Sequence, residues 1–146
     1  MASTTAVDSA GHALRNRNSV QRSNRSIWTG RVLTGLAGAF LAWDGAIKVL
    51  NIAAVADAFT QLGYPVSTAV GIGLLELACL ALYLVPRTSV LGAVLLTGYL
   101  GGAISTHVRV GNPLFSHVLF PSYIALLVWG GLYLREPRLR ALLPLR

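Results

Sequence analysis

The chain has 146 residues, of which 54% are apolar and 12% charged, and its formal net charge is +7. This length suits one domain, and soluble domains carry roughly 25% charged residues, so the composition excludes an ordinary water-soluble domain. The basic residues lie at the chain ends and at the ends of apolar runs, not among aromatics along one helix face. This placement excludes nucleic acid as a partner and is typical of membrane topology.

Residues 1–26 are polar and contain four arginines but almost no large apolar side chains. Such a segment cannot bury enough surface to fold alone, so it predicts a disordered basic tail on the cytoplasmic side. Residues 136–146 predict a second basic cytoplasmic tail at the C-terminus.

The domain between the tails, residues 27–135, is predicted to be all-α, as a four-helix transmembrane bundle. Each of its four apolar runs has the length that a helix needs to cross a bilayer, and none shows the alternation of a strand. The runs cover residues 27–50, 66–85, about 88–106 and about 117–134. The connector 51–65 has the apolar spacing of a short amphipathic helix that lies on the membrane or over the mouth of the bundle.

Small residues predict how the helices pack. Gly98 and Gly102 form a GxxxG spacing in the third run, which predicts close approach of a neighbouring backbone. Cys79 is the single cysteine, so a disulfide within the chain and a CxxC redox pair are both excluded.

The distribution of lysine and arginine predicts the orientation. With an inside N-terminus, ten of the 12 basic residues fall on the cytoplasmic side, and only Lys48 and Arg109 fall outside. The sequence therefore predicts a multi-pass protein of the bacterial inner membrane with both termini in the cytoplasm.

Ionisable residues within the spans predict a polar site in the outer half of the bundle, because charges at the bilayer centre are costly and tend to face the interior and pair. Asp44 and Lys48 share one face of the first helix, and Glu76 lies near the middle of the second. The candidates for ligand binding or proton handling are Asp44, Lys48, Glu76, Tyr99, His107, Arg109 and His117. Asp44 is expected to pair with Lys48 or Arg109, and Glu76 with Lys48, Arg109 or a histidine.

Each candidate also has a structural interpretation. Asp44 and Lys48 could form only an internal ion pair, and Glu76 could be a protonated carboxyl that bonds a neighbouring helix. The histidines and Arg109 could bind lipid head groups. His107 and His117 match no compact zinc motif, so no metal site is predicted.

The stretch "THVRVGNPLFSH", residues 106–117, is predicted to be the outer hairpin between helices three and four. Gly111 and Asn112 permit unusual backbone angles, and Pro113 stops a helix. The stretch is interpreted as a lid carrying hydrogen-bond donors above a pocket containing acids.

Three blocks of the chain resemble the DoxX and DoxX-like family of small membrane proteins, over residues 28–143. The blocks are "GRVLTGLAGAFLAWDGAIKVL", "QLGYP" with "GIGLLELACLALYLVP", and "GGAISTHVRVGNPLFSHVLFPSYIALLVWGGLYLREPRLRALL". The resemblance implies a four-helix inner-membrane protein. It also implies that the polar residues most important for function are Lys48, Glu76, His107 and Arg109. The family takes its name from subunits of a thiosulfate–quinone oxidoreductase, but this chain lacks the cysteine pair of a thiol relay.

Three functions remain open at this stage. The first is a redox-associated accessory subunit, with a membrane or periplasmic redox protein as its partner, that binds a quinone or another amphipathic molecule in the outer half of the bundle. The second is a non-enzymatic membrane scaffold that docks partner proteins, and the third is a small proton-coupled transporter, which would need to assemble as a homo-oligomer.

Overall fold

The computed structural model describes residues 2–142, with side chains described for residues 24–141. The helices are α1 (Ala2–Val49), α2 (Ala53–Gln61), α3 (Thr68–Leu84), α4 (Ser89–Arg109), α5 (Phe120–Arg135) and α6 (Pro137–Leu142), and a π-helical turn, Leu114–Val118, precedes α5. No strand occurs among these residues. The predicted all-α class is confirmed.

The apolar helices have the dimensions of membrane spans. Three stretches are long and apolar enough to cross a bilayer, namely Asn24–Val49, Ser89–Arg109 and Leu114–Arg135. Helix α3 is apolar but has 17 residues, the lower end of the spanning range. Large apolar side chains face outward on every one of these helices, for example Trp43 at 67% exposure and Leu126 at 71%. Such an apolar exterior suits lipid rather than water.

The N-terminal segment differs from its prediction. The backbone of α1 begins at Ala2, so residues 2–26 are helical where the sequence predicts disorder. The segment contains no proline, so nothing in it stops the helix that propagates from the first span. The division of the chain into a tail, a membrane domain and a second tail stays a prediction.

Four helices form the bundle as a ring. Helices α1 and α4 each pack on both α3 and α5, so α1 and α4 face each other across the diagonal. The connector forms α2, as predicted, and Val55 and Phe59 bury its apolar face. Helix α6 folds back on α5 and places Leu139 in the core.

The two ends of the bundle can be named by their connections. The end that carries residues 50–67 and 110–119 is called the loop end, and the end that carries the α3–α4 turn and α6 is called the termini end. Three residues leave helices at the loop end with a left-handed backbone: Asn51 (φ 48°), Gly63 (φ 74°) and Gly111 (φ 70°). The unusual backbone predicted for Gly111 is confirmed, and the residue ends α4 in the way glycine commonly ends helices.

Glycines set the close helix crossings. A β-carbon on Gly92 would lie 2.2 Å from the backbone nitrogen of Tyr83, so α3 and α4 touch there through their backbones. One on Gly73 would lie 2.8 Å from the carbonyl oxygen of Gly45, which marks the crossing of α3 with α1. A third close crossing joins α1 to α5, where a β-carbon on Gly30 would lie 3.0 Å from the carbonyl oxygen of Gly131. Glycines therefore bring all four bundle helices to short range.

Candidate functional site

Four polar residues meet inside the bundle and are called the Lys48 cluster: Asp44, Lys48, Glu76 and Tyr99. Lys48 Nζ donates to Asp44 Oδ2, to Glu76 Oε2 at 2.8 Å and to the Tyr99 hydroxyl at 2.9 Å. The Tyr99 hydroxyl in turn donates to Glu76 Oε2 at 2.7 Å. The cluster therefore joins α1, α3 and α4, and it contains four of the seven residues predicted for the site.

Local geometry explains how Lys48 reaches its partners. Asp44 lies one turn before it on the same face of α1, which aligns the two side chains. The α1–α3 crossing places the Lys48 β-carbon directly over Gly73, where a second β-carbon would be only 2.7 Å away. From this position the long stem of Lys48 extends to Glu76, one turn further along α3, and across the diagonal to α4.

Burial decreases from the centre of the cluster to its edge. The Glu76 side chain is fully buried, that of Lys48 is 14% exposed and that of Asp44 is 31% exposed. A charge near the centre of a membrane helix costs on the order of 2.5–3.5 kcal/mol on insertion scales. Pairing with Lys48 offsets part of that cost for both carboxylates. Among the described residues, Glu76 Oε1 has no hydrogen-bond partner.

A cavity of about 590 Å³ lies beside the cluster in the loop-end half of the bundle. This volume is in the range of sites for small organic molecules, which are typically 300–1,000 Å³. Its walls are mostly apolar, and five aromatic residues take part: Phe40, Phe59, Tyr64, Tyr99 and Phe120. Its polar side chains are Asp44, Lys48, Tyr64, Tyr99, Thr106 and His107. The cavity is thus an apolar chamber with a charged cluster at one place on its wall.

Two glycines help to leave this space open. Gly98 and Gly102 line the cavity, and a β-carbon on either would meet no atom within 4 Å. Within the described chain no neighbouring backbone packs against either glycine, so the close approach predicted from their GxxxG spacing is not made inside the bundle. The close crossings instead lie where Gly45 meets Gly73, where Gly92 meets Tyr83, and where Gly30 meets Gly131.

Helix α2 and the residues after it cover the cavity at the loop end. The Tyr64 hydroxyl lies 3.0 Å from Thr106 Oγ1, and Arg109 Nη2 donates to the Leu62 carbonyl oxygen at 2.7 Å. The Arg109 guanidinium also lies over the Tyr64 ring, 5.4 Å from its centre. Three contacts therefore connect the end of α2 to the end of α4. The cover predicted from residues 106–117 is largely supplied by α2, since only Thr106 and His107 of that stretch line the cavity.

The three remaining predicted residues lie at different distances from the cluster. His107 lines the cavity, and its Nδ1 is 2.8 Å from the amide nitrogen of Asn112. The ring of His117 is 5.7 Å from that of His107, but His117 is exposed and its Nδ1 contacts Ser116 Oγ at 2.8 Å. Arg109 is also exposed. Within residues 24–141, both buried ion pairs use Lys48, so the alternative pairing with Arg109 is not formed.

Two phenylalanines that line the cavity were not predicted from the sequence. Phe40 and Phe120 line the cavity and contact each other edge to face, with ring centres 5.2 Å apart. Phe40 lies one turn before Asp44 on α1, and that spacing was a usable signal. Phe120 gives no comparable signal, because its position depends on how α5 packs on α1.

Comparison with known protein families identifies the family of this chain. The model of the DoxX-like family matches residues 32–131, which is more than half of the chain. The match extends from α1 into α5 and contains all seven candidate residues. No curated protein and no solved structure matches the chain.

Proposed function

The chain belongs to the DoxX-like family of membrane proteins, and we propose that it binds an amphipathic small molecule in the cavity beside the Lys48 cluster. The apolar part of the ligand lies among the aromatic and aliphatic walls, and its polar end meets the cluster. The observation that carries the proposal is the combination of an apolar chamber of about 590 Å³ with a buried charged cluster on its wall. Ligand sites commonly combine apolar walls with a few convergent polar groups.

The packing of the bundle supports the same proposal. A structural ion pair alone would need no space beside it, since protein interiors are generally packed to the density of organic crystals. Here Gly98 and Gly102 keep a wall of α4 free of side chains, whereas the glycines at the helix crossings are filled by neighbours. The open space and the polar cluster occur at one place.

The membrane role is proposed from the resemblance and the charge distribution. We place the protein in the bacterial inner membrane as a redox-associated accessory subunit, with a quinone among the possible ligands, and this part rests on the family resemblance. The charge distribution supports an orientation with the termini end on the cytoplasmic side, since Lys48 and Arg109 are the two basic residues at the loop end.

A matched pair of glycine variants tests the proposal. Gly102→Leu fills part of the cavity, whereas Gly101→Leu adds the same side chain at the neighbouring position, which is open but does not line the cavity. The wild type and both variants are extracted in mild detergent, and small molecules that co-purify are identified by mass spectrometry. We expect one amphipathic compound at about one copy per chain in the wild type and Gly101→Leu, and its loss from Gly102→Leu.

The opposite result is equally specific. Bulk phospholipid alone, in the same amount in all three proteins, would contradict the ligand site. It would favour the alternative of a non-enzymatic scaffold, and a search for co-purifying proteins with the same variants would follow. Glu76→Gln serves as a second probe of the site, because it alters the cluster without changing the volume of the cavity.

A further inference from the structure

The hydrogen bonds of the Lys48 cluster restrict what the polar end of a ligand can be. A lysine ammonium has three N–H donors and no acceptor. Lys48 directs all three within the cluster, to Asp44, Glu76 and the Tyr99 hydroxyl. Tyr99 uses its own proton on Glu76. The cluster therefore has no free donor for a ligand.

What the cluster does present to the cavity is an acceptor. Asp44 lines the cavity and is the most exposed member of the two ion pairs, with 31% of its side chain accessible. Its Oδ2 receives Lys48, and among the described side chains none donates to its Oδ1. A carboxylate oxygen in an apolar chamber binds a donor strongly, since charge-assisted hydrogen bonds are about twice as strong as neutral ones.

The ion pairs of the cluster also favour a cationic group beside Asp44. Two carboxyl groups, those of Asp44 and Glu76, share Lys48 as their single cationic partner. A second cation beside Asp44 would complete the pairing that Lys48 divides between them.

The walls of the cavity add surfaces that attract cations. The faces of aromatic rings attract ammonium groups, and the attraction is greatest where water is excluded. One ring already shows this behaviour, with the Arg109 guanidinium 5.4 Å from the centre of the Tyr64 ring. Phe40 and Phe120, an edge-to-face pair, also line the cavity, and Phe40 is one turn from Asp44.

We infer that the ligand is a cationic amphiphile, whose ammonium group binds Asp44 in the aromatic-walled cavity and whose apolar part fills the rest. This inference rests on the proposed function and narrows its ligand class. A carboxylate or a carbonyl head group, including that of a quinone, fits less well, because the cluster offers it no donor. Within the described lining, His107 is the one further side chain with an N–H group.

Three probes with one tail test the inference: decylamine, decanol and decanoate. The full chain is reconstituted in lipid nanodiscs, and saturable binding is followed by the rise in melting temperature and by native mass spectrometry. For the wild type we expect decylamine to bind at one copy per chain and at least about tenfold tighter than decanoate. In Asp44→Asn, the amide still accepts from Lys48 but no longer carries the charge, so decylamine should bind about tenfold more weakly, a loss of about 1.4 kcal/mol.

The variants separate failure of this inference from failure of the proposed function. Gly102→Leu should weaken all three probes, and Gly101→Leu should weaken none. Equal binding of the three probes, or tighter binding of decanoate, would overturn the cationic ligand while leaving the cavity as a binding site, provided that Gly102→Leu still blocks them. Decylamine binding that is unchanged in Asp44→Asn would overturn it in the same way. If no probe saturates, or if Gly102→Leu changes nothing, both proposals fail.

Discussion

The two ends of the bundle are built differently, although the same four helices form both. At the termini end, Gly92 lies against the backbone of Tyr83, and the buried Tyr83 hydroxyl donates to the Val128 carbonyl oxygen at 3.0 Å. That hydroxyl also lies 3.1 Å from Thr34 Oγ1, so α1, α3 and α5 meet at one tyrosine. Arg135 adds a bond to the Tyr83 carbonyl oxygen at 3.1 Å. This end is closely packed.

The loop end contains a cavity, whereas the helices at the termini end are in close contact. Its interior contains the cavity and the Lys48 cluster, and its apolar core is a small group in which Val55 and Phe59 of α2 pack with Ala69 of α3. Close packing at one end lets the other end remain open, because the helices are already held in place. The comparison indicates that the termini end stabilises the bundle, while the proposed ligand site lies at the loop end. Four predictions test this division, in order of decreasing expected effect.

Gly92→Ala should have the largest effect on stability. The new β-carbon would lie 2.2 Å from a backbone nitrogen, so α3 and α4 must separate. Overpacking typically costs 1–3 kcal/mol, and a clash with backbone relaxes least, so we expect a loss of more than about 3 kcal/mol. Unfolding in detergent mixtures measures it. The control is Gly101→Ala, where nothing lies within 4 Å and the helix should gain about 0.5–1 kcal/mol. Equal stability of the two variants would contradict the division.

Lys48→Met should have the next largest effect. It leaves two carboxylates in the bundle without their shared partner, which costs 3–5 kcal/mol for a fully buried pair. Lys48 keeps 14% exposure, so we expect a loss of about 2–3 kcal/mol. A double-mutant cycle with Glu76→Gln checks the cause, since removing one carboxylate should recover part of the loss. Strictly additive effects would mean that the cluster is not coupled.

Tyr83→Phe should separate stability from binding. It removes one buried hydroxyl that contacts α1 and α5, and a typical hydrogen bond contributes about 0.5–1.5 kcal/mol. We expect a loss of about 1 kcal/mol in unfolding experiments with ligand binding unchanged. Tyr99→Phe is the counterpart at the loop end, because its hydroxyl belongs to the cluster and its ring lines the cavity. The comparison would fail if Tyr83→Phe weakened binding as strongly as Tyr99→Phe.

Arg109→Met should have the smallest effect on overall stability. The guanidinium is exposed, and exposed charged contacts contribute about 0–1 kcal/mol. Its loss should nevertheless loosen the cover, since Arg109 holds the Leu62 carbonyl oxygen and the Tyr64 ring. Hydrogen exchange should therefore become faster for the amides of Ala53–Gln61 and remain unchanged in α5. Unchanged exchange in α2 would show that Arg109 does not secure the cover.

Much of the site could be predicted from the sequence, because charged side chains are costly within a membrane. Because so few ionisable residues occur in the apolar runs, each of them predicts a polar interior, and Asp44, Lys48, Glu76 and Tyr99 do come together. The sequence left the basic partner of the two carboxyl groups open: Lys48 or Arg109 for Asp44, and Lys48, Arg109 or a histidine for Glu76. The α1–α3 crossing decides it, since Gly45 and Gly73 bring the Lys48 stem over α3, while Arg109 leaves the bundle towards Leu62.

The glycines show where local patterns mislead. The GxxxG spacing of Gly98 and Gly102 is typical of a helix contact, yet both residues face open space. The close contacts are made by glycines that belong to no such spacing: Gly30, Gly45, Gly73, Gly92 and Gly131. A glycine has no side chain to indicate its direction, so the partner helix alone determines whether it packs or leaves a gap.

The amino-acid sequence was enough to predict the class of the protein: an all-α membrane protein whose apolar runs form the helices, whose connector forms α2, and whose intramembrane charges lie on the side of the loops. These features follow from composition and periodicity, which act within each segment. Three features became visible only in the folded bundle: α1 and α4 face each other across the diagonal, a cavity opens between them, and Lys48 joins the carboxyl groups and Tyr99 into the cluster beside it. Those features depend on the distances between helices, and the distances are set by where small residues of different helices meet.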